Sequence, residues 1–311
     1  MKRRDFLKSL AGGMVLLPAL RMPIACESGR PLRFGVVTDV HFARRETAVN
    51  RYYTEALAKL RAAVEHFNAS RLDFVIELGD LKDMGPSGDP AESLRFLDEI
   101  ESALQDFRGP VWHVLGNHDC DCISKAEFWA HTDGKEKELL RHTRHDGIEG
   151  AGCYSFRARG FRCIVLDADF NADGTDYDRG NFHWTSAWLP DWELEWLERE
   201  LDSAAGEPTL IFVHQMLDHF STVSPQLVVR NAPDAVALLE RHPQVLAVFQ
   251  GHHHPGFYSS RAGIHYVTFP GMIEGPWPAH TAYAIVEIQP GGSIRIEGSG
   301  DCPDREFPGK A

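Results

Sequence analysis

Short apolar runs alternate with longer amphipathic segments along the first third of the chain. Residues 32–38 form a mostly apolar run, which is typical of a buried strand. Apolar residues at helical spacing follow in residues 47–67, and a second apolar run covers residues 74–78. Residues 90–107 again have helical spacing, and residues 111–115 form a third run. Strands that alternate with helices at this spacing predict βαβ units with a parallel core.

The rest of the chain continues this pattern less regularly. Residues 161–166, 209–213 and 245–250 are apolar runs that predict further strands, and residues 192–201 and 232–241 predict helices. The expected architecture is α/β, with two packed sheets flanked by helices. Ligands of open α/β sheets lie beyond the carboxyl ends of the strands, and the polar motifs of this chain occur there.

The N-terminal segment has a different character. Arg3 and Arg4 are followed by Phe-Leu-Lys and then by an apolar stretch over residues 10–20. Eleven residues are too few for a permanent membrane helix. We therefore interpret residues 1–29 as a twin-arginine export signal that would engage the twin-arginine export machinery. The alternative is a chance basic and apolar start.

This interpretation sets an expected location. An exported protein would be periplasmic or otherwise extracytoplasmic. The sequence Pro-Ile-Ala-Cys that ends at Cys26 also resembles a lipoprotein cleavage site, so lipidation of Cys26 and a membrane anchor form the alternative to a freely released product. No other segment is long and apolar enough to span a membrane. Residues 30–311 then form the single folded domain.

The bulk composition changes this picture mainly through charge. The 311 residues are 43% hydrophobic and 25% charged, which is ordinary for a globular protein, but the net charge is −13. Such an acidic surface repels nucleic-acid backbones, so we do not expect nucleic-acid binding. A phosphate ester can still bind if metal ions dominate the local field.

The cysteines give limited information about disulfide bonds. Six are present, and without Cys26 the remaining five cannot all pair. Export to an oxidising compartment permits disulfides, and Cys120 or Cys122 could pair with Cys153. Cys163 lies within an apolar run and is expected to be buried in a strand.

Five polar motifs carry the chemistry, and each follows an apolar run. They supply three acids, one amide and several imidazoles. In chain order they are Asp39-Val40-His41, Gly79-Asp80, Gly116-Asn117-His118-Asp119, His214 and Gly251-His252-His253-His254. This is the ligand inventory of a site with two metal ions, which activates water and stabilises charge on a phosphoryl group. The alternative makes each residue a cap, a turn residue or a packed core histidine.

Individual motifs suit particular tasks. Asp39 and His41 are two residues apart after a strand, so strand alternation would point both side chains the same way. Gly79 permits a sharp turn before Asp80, whose carboxylate has lone pairs for two metals. Asp119 follows His118 directly, and a neighbouring carboxylate can fix an imidazole tautomer and raise the pKa of the imidazole.

Taken together, the motifs resemble those of the calcineurin-like metallophosphoesterase superfamily over residues 32–288. The resemblance implies a four-layer α-β-β-α sandwich of two mixed sheets, the metallophosphatase fold. It also implies a role for each residue. His118, with Asp119, would contact the phosphate. The first metal would be held by Asp39, His41, Asp80 and His254, and the second by Asp80, Asn117, His214 and His252.

A narrower resemblance involves Arg51-Tyr52-Tyr53, Gly79-Asp80-Leu81-Lys82-Asp83 and Gly271-Met272-Ile273-Glu274. These segments are similar to those of manganese-dependent ADP-ribose/CDP-alcohol diphosphatases. The chain departs from that subfamily at His41, where Gln is usual, and at Asp119, where Glu is usual.

We therefore expect an exported hydrolase of phosphodiester or pyrophosphate bonds in nucleotide-type small molecules. It would use two divalent ions, Mn, Fe or Zn, and a hydroxide shared by them. The alternatives are a phosphomonoesterase and a non-catalytic metal-binding relative.

Overall fold

The computed structural model of this chain describes residues 29–132 and 152–309, and the described strands form two six-stranded sheets. The strands of the first sheet are β1 (Leu32–Val37), β2 (Phe74–Glu77), β3 (Val111–His113), β10 (Ala282–Ile288), β11 (Ile294–Gly300) and β12 (Arg305–Phe307). They lie in the order β12-β11-β10-β1-β2-β3. β1, β2 and β3 are parallel, and β10 runs antiparallel to β1, so the sheet is mixed.

The second sheet is also mixed. Its strands are β4 (Tyr154–Ala158), β5 (Phe161–Val165), β6 (Thr209–Phe212), β7 (Val245–Gln250), β8 (Phe257–Arg261) and β9 (Ile264–Thr268). They lie in the order β4-β5-β6-β7-β9-β8, in which β5, β6, β7 and β9 are parallel. The edge strands β4 and β8 are antiparallel to their neighbours.

Helices cover the outer face of each sheet. The helices on the first sheet are α1 (Ala56–Ala69), α2 (Pro90–Leu104) and α3 (Lys125–Thr132), and those on the second are α4 (Asp191–Ser203) and α5 (Ala232–Arg241). Gly35 of β1 allows the close approach of α1, because a Cβ there would lie 3.0 Å from the Phe67 ring. The predicted arrangement of two mixed sheets flanked by helices is confirmed.

Aromatic side chains fill the space between the sheets. The ring of Phe34 on β1 lies edge-on to Phe212 and Phe249 of the second sheet, with centroids 5.8 and 5.7 Å apart. Phe74 on β2 meets Phe156 on β4 at 5.3 Å. Such pairs contribute about 0.5–1.5 kcal/mol each beyond the area that they bury, and they hold the two sheets in fixed relation. The loops at one end of both sheets are therefore held on a rigid base.

Some local predictions were wrong. The helix predicted for residues 47–67 begins at Ala56, because Ala48 pairs with Arg51 in a tight turn and Arg51 pairs with Glu274 across the fold. The suggested disulfide of Cys153 with Cys120 or Cys122 is also wrong, since all three are free cysteines. Cys120 and Cys153 belong to separate apolar clusters. Cys163 is buried in β5, as predicted.

The predicted export signal, including Cys26, lies almost wholly outside the described residues. Among the residues that the structure describes, none of the helices has the length and apolar character required to cross a membrane.

Candidate metal centre

Backbone hydrogen bonds join the loops that follow β1 and β2, and likewise those that follow β6 and β7. Asp39 N donates to Gly79 O at 3.0 Å, and His41 N donates to Asp80 O at 2.8 Å. In the second sheet, Gly251 N donates to His214 O at 3.0 Å. His252 N connects the two pairs of loops by donating to Asp39 Oδ2 at 3.0 Å. The polar motifs that are far apart in sequence therefore meet at one end of the two sheets.

One group of side chains brings together Asp39, His41 and His254. His254 Nε2 lies 3.2 Å from Asp39 Oδ1 and 3.2 Å from His41 Nε2. His41 Nε2 lies 3.6 Å from Asp39 Oδ1. These ligand-type atoms are close enough to surround a single cation. The group coincides with three of the four residues predicted for the first metal.

A second group brings together Asp80, His214 and His252. Asp80 Oδ2 lies 3.2 Å from His214 Nε2 and 3.5 Å from His41 Nε2 of the first group. The carboxylate of Asp80 therefore stands between the two groups, which is the position that a bridging ligand needs. Asn117 begins a 3-10 helix beside them, and its neighbour His118 donates its backbone N–H to Asp80 Oδ1 at 2.7 Å.

The backbone that presents these side chains is left-handed rather than extended. Asp39, His41, Asp80 and His252 have φ values of 50°, 48°, 59° and 67°. Asp39 and His41 face the same ligand group, as predicted. Strand alternation is not the cause, however, because the backbone at both residues is left-handed. Asp and His are among the residues that tolerate this conformation best. Gly79 has φ of 96°, as the predicted sharp turn requires.

Three of the imidazoles have an oxygen beside Nδ1. His214 Nδ1 donates to Leu78 O at 2.7 Å, and His254 Nδ1 lies 2.6 Å from Glu274 Oε1. His41 Nδ1 lies 3.4 Å from Asp83 Oδ2. The hydrogen-bonded partners of His214 and His254 fix the tautomer and the orientation of those rings and direct Nε2 at the cluster, whereas His41 Nδ1 makes no hydrogen bond.

Several buried polar atoms at the centre make no hydrogen bond. They are Asp39 Oδ1, Asn117 Oδ1, His214 Nε2 and His252 Nε2. An unmade hydrogen bond costs a buried polar atom about 1–3 kcal/mol, and most buried polar atoms in proteins have a partner. All four are lone-pair donors of the predicted residues, so the chain fits divalent cations. Mixed Asp, Asn and His ligation suits Mn, Fe or Zn better than Ca or Mg.

The charges favour the metal-binding form at Asp80 and His252. Burial alone would raise the pKa of Asp80, but His214, His118 and His41 around it hold that pKa well below its usual value. Burial lowers the pKa of His252 to about 3, and the neighbouring His214 adds to this effect. An ionised carboxylate and a neutral imidazole are the states that coordinate a cation. Against burial, Asp80 raises the pKa of His214 to about 10 and Asp39 raises the pKa of His254 to about 9, so metal binding there must displace a proton.

His118 stands at the mouth of this cluster, with 27% of its side chain exposed. Its Nδ1 lies 2.8 Å from Asp121 Oδ2 and 3.6 Å from Asp83 Oδ1. Burial opposes the positive charge, but Asp80, Asp121 and Asp83 raise the pKa of His118 well above its usual value. Since Nδ1 is bound to Asp121, Nε2 is the nitrogen available to a substrate oxygen. The imidazole can therefore donate a proton or bind an anionic oxygen.

The predicted pairing of Asp119 with His118 is wrong. The Asp119 carboxylate instead accepts backbone hydrogen bonds from Asp80, Leu81 and Gly116, at 2.9, 3.0 and 3.0 Å. The side chain is fully buried under the Gly79-Asp80 turn. Asp119 therefore fixes the backbone that carries Asp80 and does not touch the imidazole. Asp121, two residues after Asp119, instead contacts the His118 imidazole, which was the role predicted for Asp119.

Sequence reasoning missed two of the site's carboxylates. Asp121 was not singled out, although it caps the 3-10 helix three residues after His118, a spacing that stacks the two side chains. Glu274 was noted only as part of a resemblance, and no local pattern shows that it reaches His254.

Comparison with known proteins agrees with this geometry. A family model described as calcineurin-like phosphoesterase matches residues 32–256, which includes every loop that carries a predicted metal ligand. The chain belongs to the calcineurin-like phosphoesterase family. The match covers more than half of the chain, and this phosphoesterase is accordingly a metal-dependent hydrolase of phosphoric esters.

Three individual proteins are similar to this chain over most of its length. The phosphoesterase is 27% identical to a manganese-dependent ADP-ribose/CDP-alcohol diphosphatase of Bos taurus, over 89% of this chain and 94% of the relative. The Homo sapiens protein of the same description is also 27% identical, over 89% and 93%. A solved dimetal phosphatase from Danio rerio has the same fold, with a TM-score of 0.79, 23% identity and coverage of 90% of this chain and 100% of that one.

Proposed function

We propose that this phosphoesterase is an exported diphosphatase that binds two divalent ions and cleaves pyrophosphate or phosphodiester bonds of nucleotide-type small molecules. The substrate class is that of ADP-ribose and CDP-alcohols, which the names of its relatives mention. The relatives align over nearly their full length, which supports a shared reaction. The supported cofactor is manganese, with Fe and Zn as the other ions that suit the donor set.

One observation carries this proposal. The Asp80 carboxylate lies between His41 of one ligand group and His214 of the other, at 3.5 and 3.2 Å. We assign Asp39, His41, Asp80 and His254 to one ion, and Asp80, Asn117, His214 and His252 to the other. When bound, the two ions would activate water and neutralise charge on the phosphoryl group.

The chain's own residues supply the remaining functions. His118, held by Asp121 and Asp83, presents a protonated imidazole at the mouth of the cluster. Its Nε2–H can bind a non-bridging phosphate oxygen as negative charge develops there. It can also give its proton to the leaving oxygen, an effect that typically contributes about 10²–10⁴-fold to a rate. Asp119 and Lys82 hold the backbone of this region, through Asp80 N and His118 O respectively.

The proposal is tested by a substrate panel on the purified protein. The protein is stripped with a chelator, reloaded with Mn²⁺, and assayed with ADP-ribose, CDP-choline, cyclic AMP and simple phosphomonoesters. We expect turnover of ADP-ribose and CDP-choline only after metal is restored. Turnover that survives complete chelation would reject the metal mechanism. Faster turnover of monoesters than of every diphosphate would favour the phosphomonoesterase alternative, and no turnover at all would favour a non-catalytic metal-binding relative.

Export is a separate part of the proposal. It is supported by the Arg3-Arg4 pair and the apolar residues 10–20 that follow. Replacing both arginines with lysine should retain the protein in the cytoplasm, as measured by fractionation of the producing cells. Lys2→Arg, which leaves the arginine pair intact, is the matched control. If the double-lysine variant reaches the periplasm as efficiently as this control, the twin-arginine route is excluded.

A further inference from the structure

Residues 271–275 contact two ligands of the first metal group, Asp39 and His254. Within this segment, Ile273 N donates to Asp39 O at 3.0 Å, and Gly271 N donates to His254 O at 3.0 Å. A Cβ on Gly271 would lie 3.0 Å from the His254 ring and 3.1 Å from the Asp39 Cβ. The segment therefore packs directly against both residues, and any shift in its backbone would move them.

The side chain of Lys59 reaches this segment from α1. Its ammonium contacts four successive carbonyl oxygens, and the side chain is fully buried. The distances from Nζ are 2.9 Å to Met272 O, 3.3 Å to Ile273 O, 2.9 Å to Glu274 O and 2.7 Å to Gly275 O. An ammonium has three protons, so these four oxygens saturate it.

The convergence of four carbonyls on one point is unfavourable without a cation. Their negative ends repel one another, and each buried carbonyl without a partner would cost about 1–3 kcal/mol. Hydrogen bonds from a charged donor are roughly twice as strong as neutral ones. Burial lowers the pKa of Lys59 to about 8, while Glu55, Asp301 and Glu274 act to raise it. The amine is therefore protonated at neutral pH and can hold the turn closed.

Glu274 connects this turn to the metal centre. Its Oε1 lies 2.6 Å from His254 Nδ1, and its Oε2 accepts from Asn50 Nδ2 at 2.8 Å. The carbonyl of the same residue is bound by Lys59. The backbone at Glu274 is thus fixed on one side by the ammonium, and its carboxylate orients the imidazole on the other.

We propose that Lys59 is a positioning residue for metal binding, which acts by closing the turn at residues 272–275 so that Glu274 orients His254. This inference rests on the proposed function, because it assumes that His254 binds a metal ion. Lys59 does not touch the metal ligands or a substrate. It acts through the shape of a backbone segment that contacts two of them.

The first experiment uses Lys59→Met in the full-length protein. Methionine keeps most of the side-chain length but supplies no donor, so all four carbonyls lose the ammonium, and Ile273 O keeps only its hydrogen bond from Tyr52 N at 3.2 Å. Mn²⁺ binding is followed by the electron paramagnetic resonance of the free ion, and folding by circular dichroism. We expect one of the two Mn²⁺ ions to bind about 10–100-fold more weakly, the usual result of removing an outer partner of a metal ligand. A folded variant that binds both ions as the wild type does would overturn the proposal.

Arg61→Met is the matched control, because it removes a cation from the exposed side of the same helix. Its Mn²⁺ affinity should stay within about twofold of wild type, as is usual for surface substitutions. Equal weakening in the Arg61 and Lys59 variants would show that helix charge, and not the carbonyl contact, is responsible, and would also overturn the proposal.

Glu274→Gln tests the second half of the pathway if Lys59→Met does not fold. This side chain is 30% exposed, so its replacement leaves no large buried defect. We expect the same single Mn²⁺ site to weaken, whereas unchanged affinity would leave Lys59 without a route to His254 and refute the inference. A wild-type protein that binds fewer than two Mn²⁺ ions would instead refute the proposed function.

Discussion

Gly79→Ala is the substitution whose cost the structure defines most directly. An alanine Cβ at this position would lie 2.6 Å from His214 Nδ1 and 2.8 Å from Gly116 N. Neither group can move freely. His214 Nδ1 donates to Leu78 O at 2.7 Å, and Gly116 N donates to the Asp119 carboxylate at 3.0 Å. Relief of the clash must therefore break a buried hydrogen bond or displace a candidate metal ligand.

The expected cost has two parts. Gly79 has φ of 96°, and a side chain in such a sparsely populated region costs about 1–3 kcal/mol. Forcing an extra methyl group into a well-packed site typically costs a further 1–3 kcal/mol or so. The free energy of unfolding should therefore fall by about 2–6 kcal/mol, a large share of the roughly 5–15 kcal/mol typical of a domain.

Urea denaturation of metal-free protein measures this loss, and Gly174→Ala separates its two parts. Gly174 has φ of 82°, but a Cβ there would meet nothing within 4 Å. The control should therefore lose only the backbone contribution, and it should bind Mn²⁺ normally, while Gly79→Ala also weakens Mn²⁺ binding through His214. Equal losses of stability in the two variants, with normal Mn²⁺ affinity in both, would refute the reasoning.

Three further predictions concern the site's charged groups. Asp80→Asn should weaken the binding of both Mn²⁺ ions by more than about 100-fold, a larger effect than the loss of an outer partner of a metal ligand. Metal analysis that finds two tightly bound ions would contradict the bridging role. His118→Ala should lower kcat about 100-fold or more while the metal content stays close to wild type; unchanged turnover would remove His118 from the reaction. Against burial, Asp80, Asp121 and Asp83 raise the pKa of His118, so Asp121→Asn should lower it. The protonated form, present below that pKa, is lost as pH rises, so the alkaline limb of the kcat profile should move to lower pH; a limb that stays in place would exclude Asp121 as the partner.

The parts of the fold that follow from local pattern could be read from the sequence. Apolar runs bounded by Gly-Asp, Gly-Asn-His and Gly-His signals predict buried strands that end at polar loops, and the parallel strands bring those loops to one edge. The convergence of Asp39, Asp80 and His214 was predicted on this basis. The structure places Asp39 in one ligand group and Asp80 with His214 in the other, and Asp80 links the groups at 3.5 Å from His41.

The outer partners could not be predicted in the same way. Glu274 reaches His254 from a loop between β9 and β10, and Lys59 reaches the same loop from α1. Such contacts depend on the packing of elements far apart in the chain, and no periodicity encodes them. Asp119 was misassigned for a related reason, because adjacency in sequence does not decide whether a carboxylate turns toward the next imidazole or toward the backbone.

The left-handed backbone of Asp39, His41, Asp80 and His252 restricts how the metal preference of this protein can be redesigned. A new ligand at these four positions must satisfy the cation and also accept a positive φ, and among common metal-binding side chains Asp, Asn and His do so most readily. Introducing Glu or Cys there would combine a change of chemistry with a backbone penalty of about 1–3 kcal/mol. Asn117, His214 and His254 have no positive φ, so they are the ligand positions where softer ligands can be introduced without this backbone penalty.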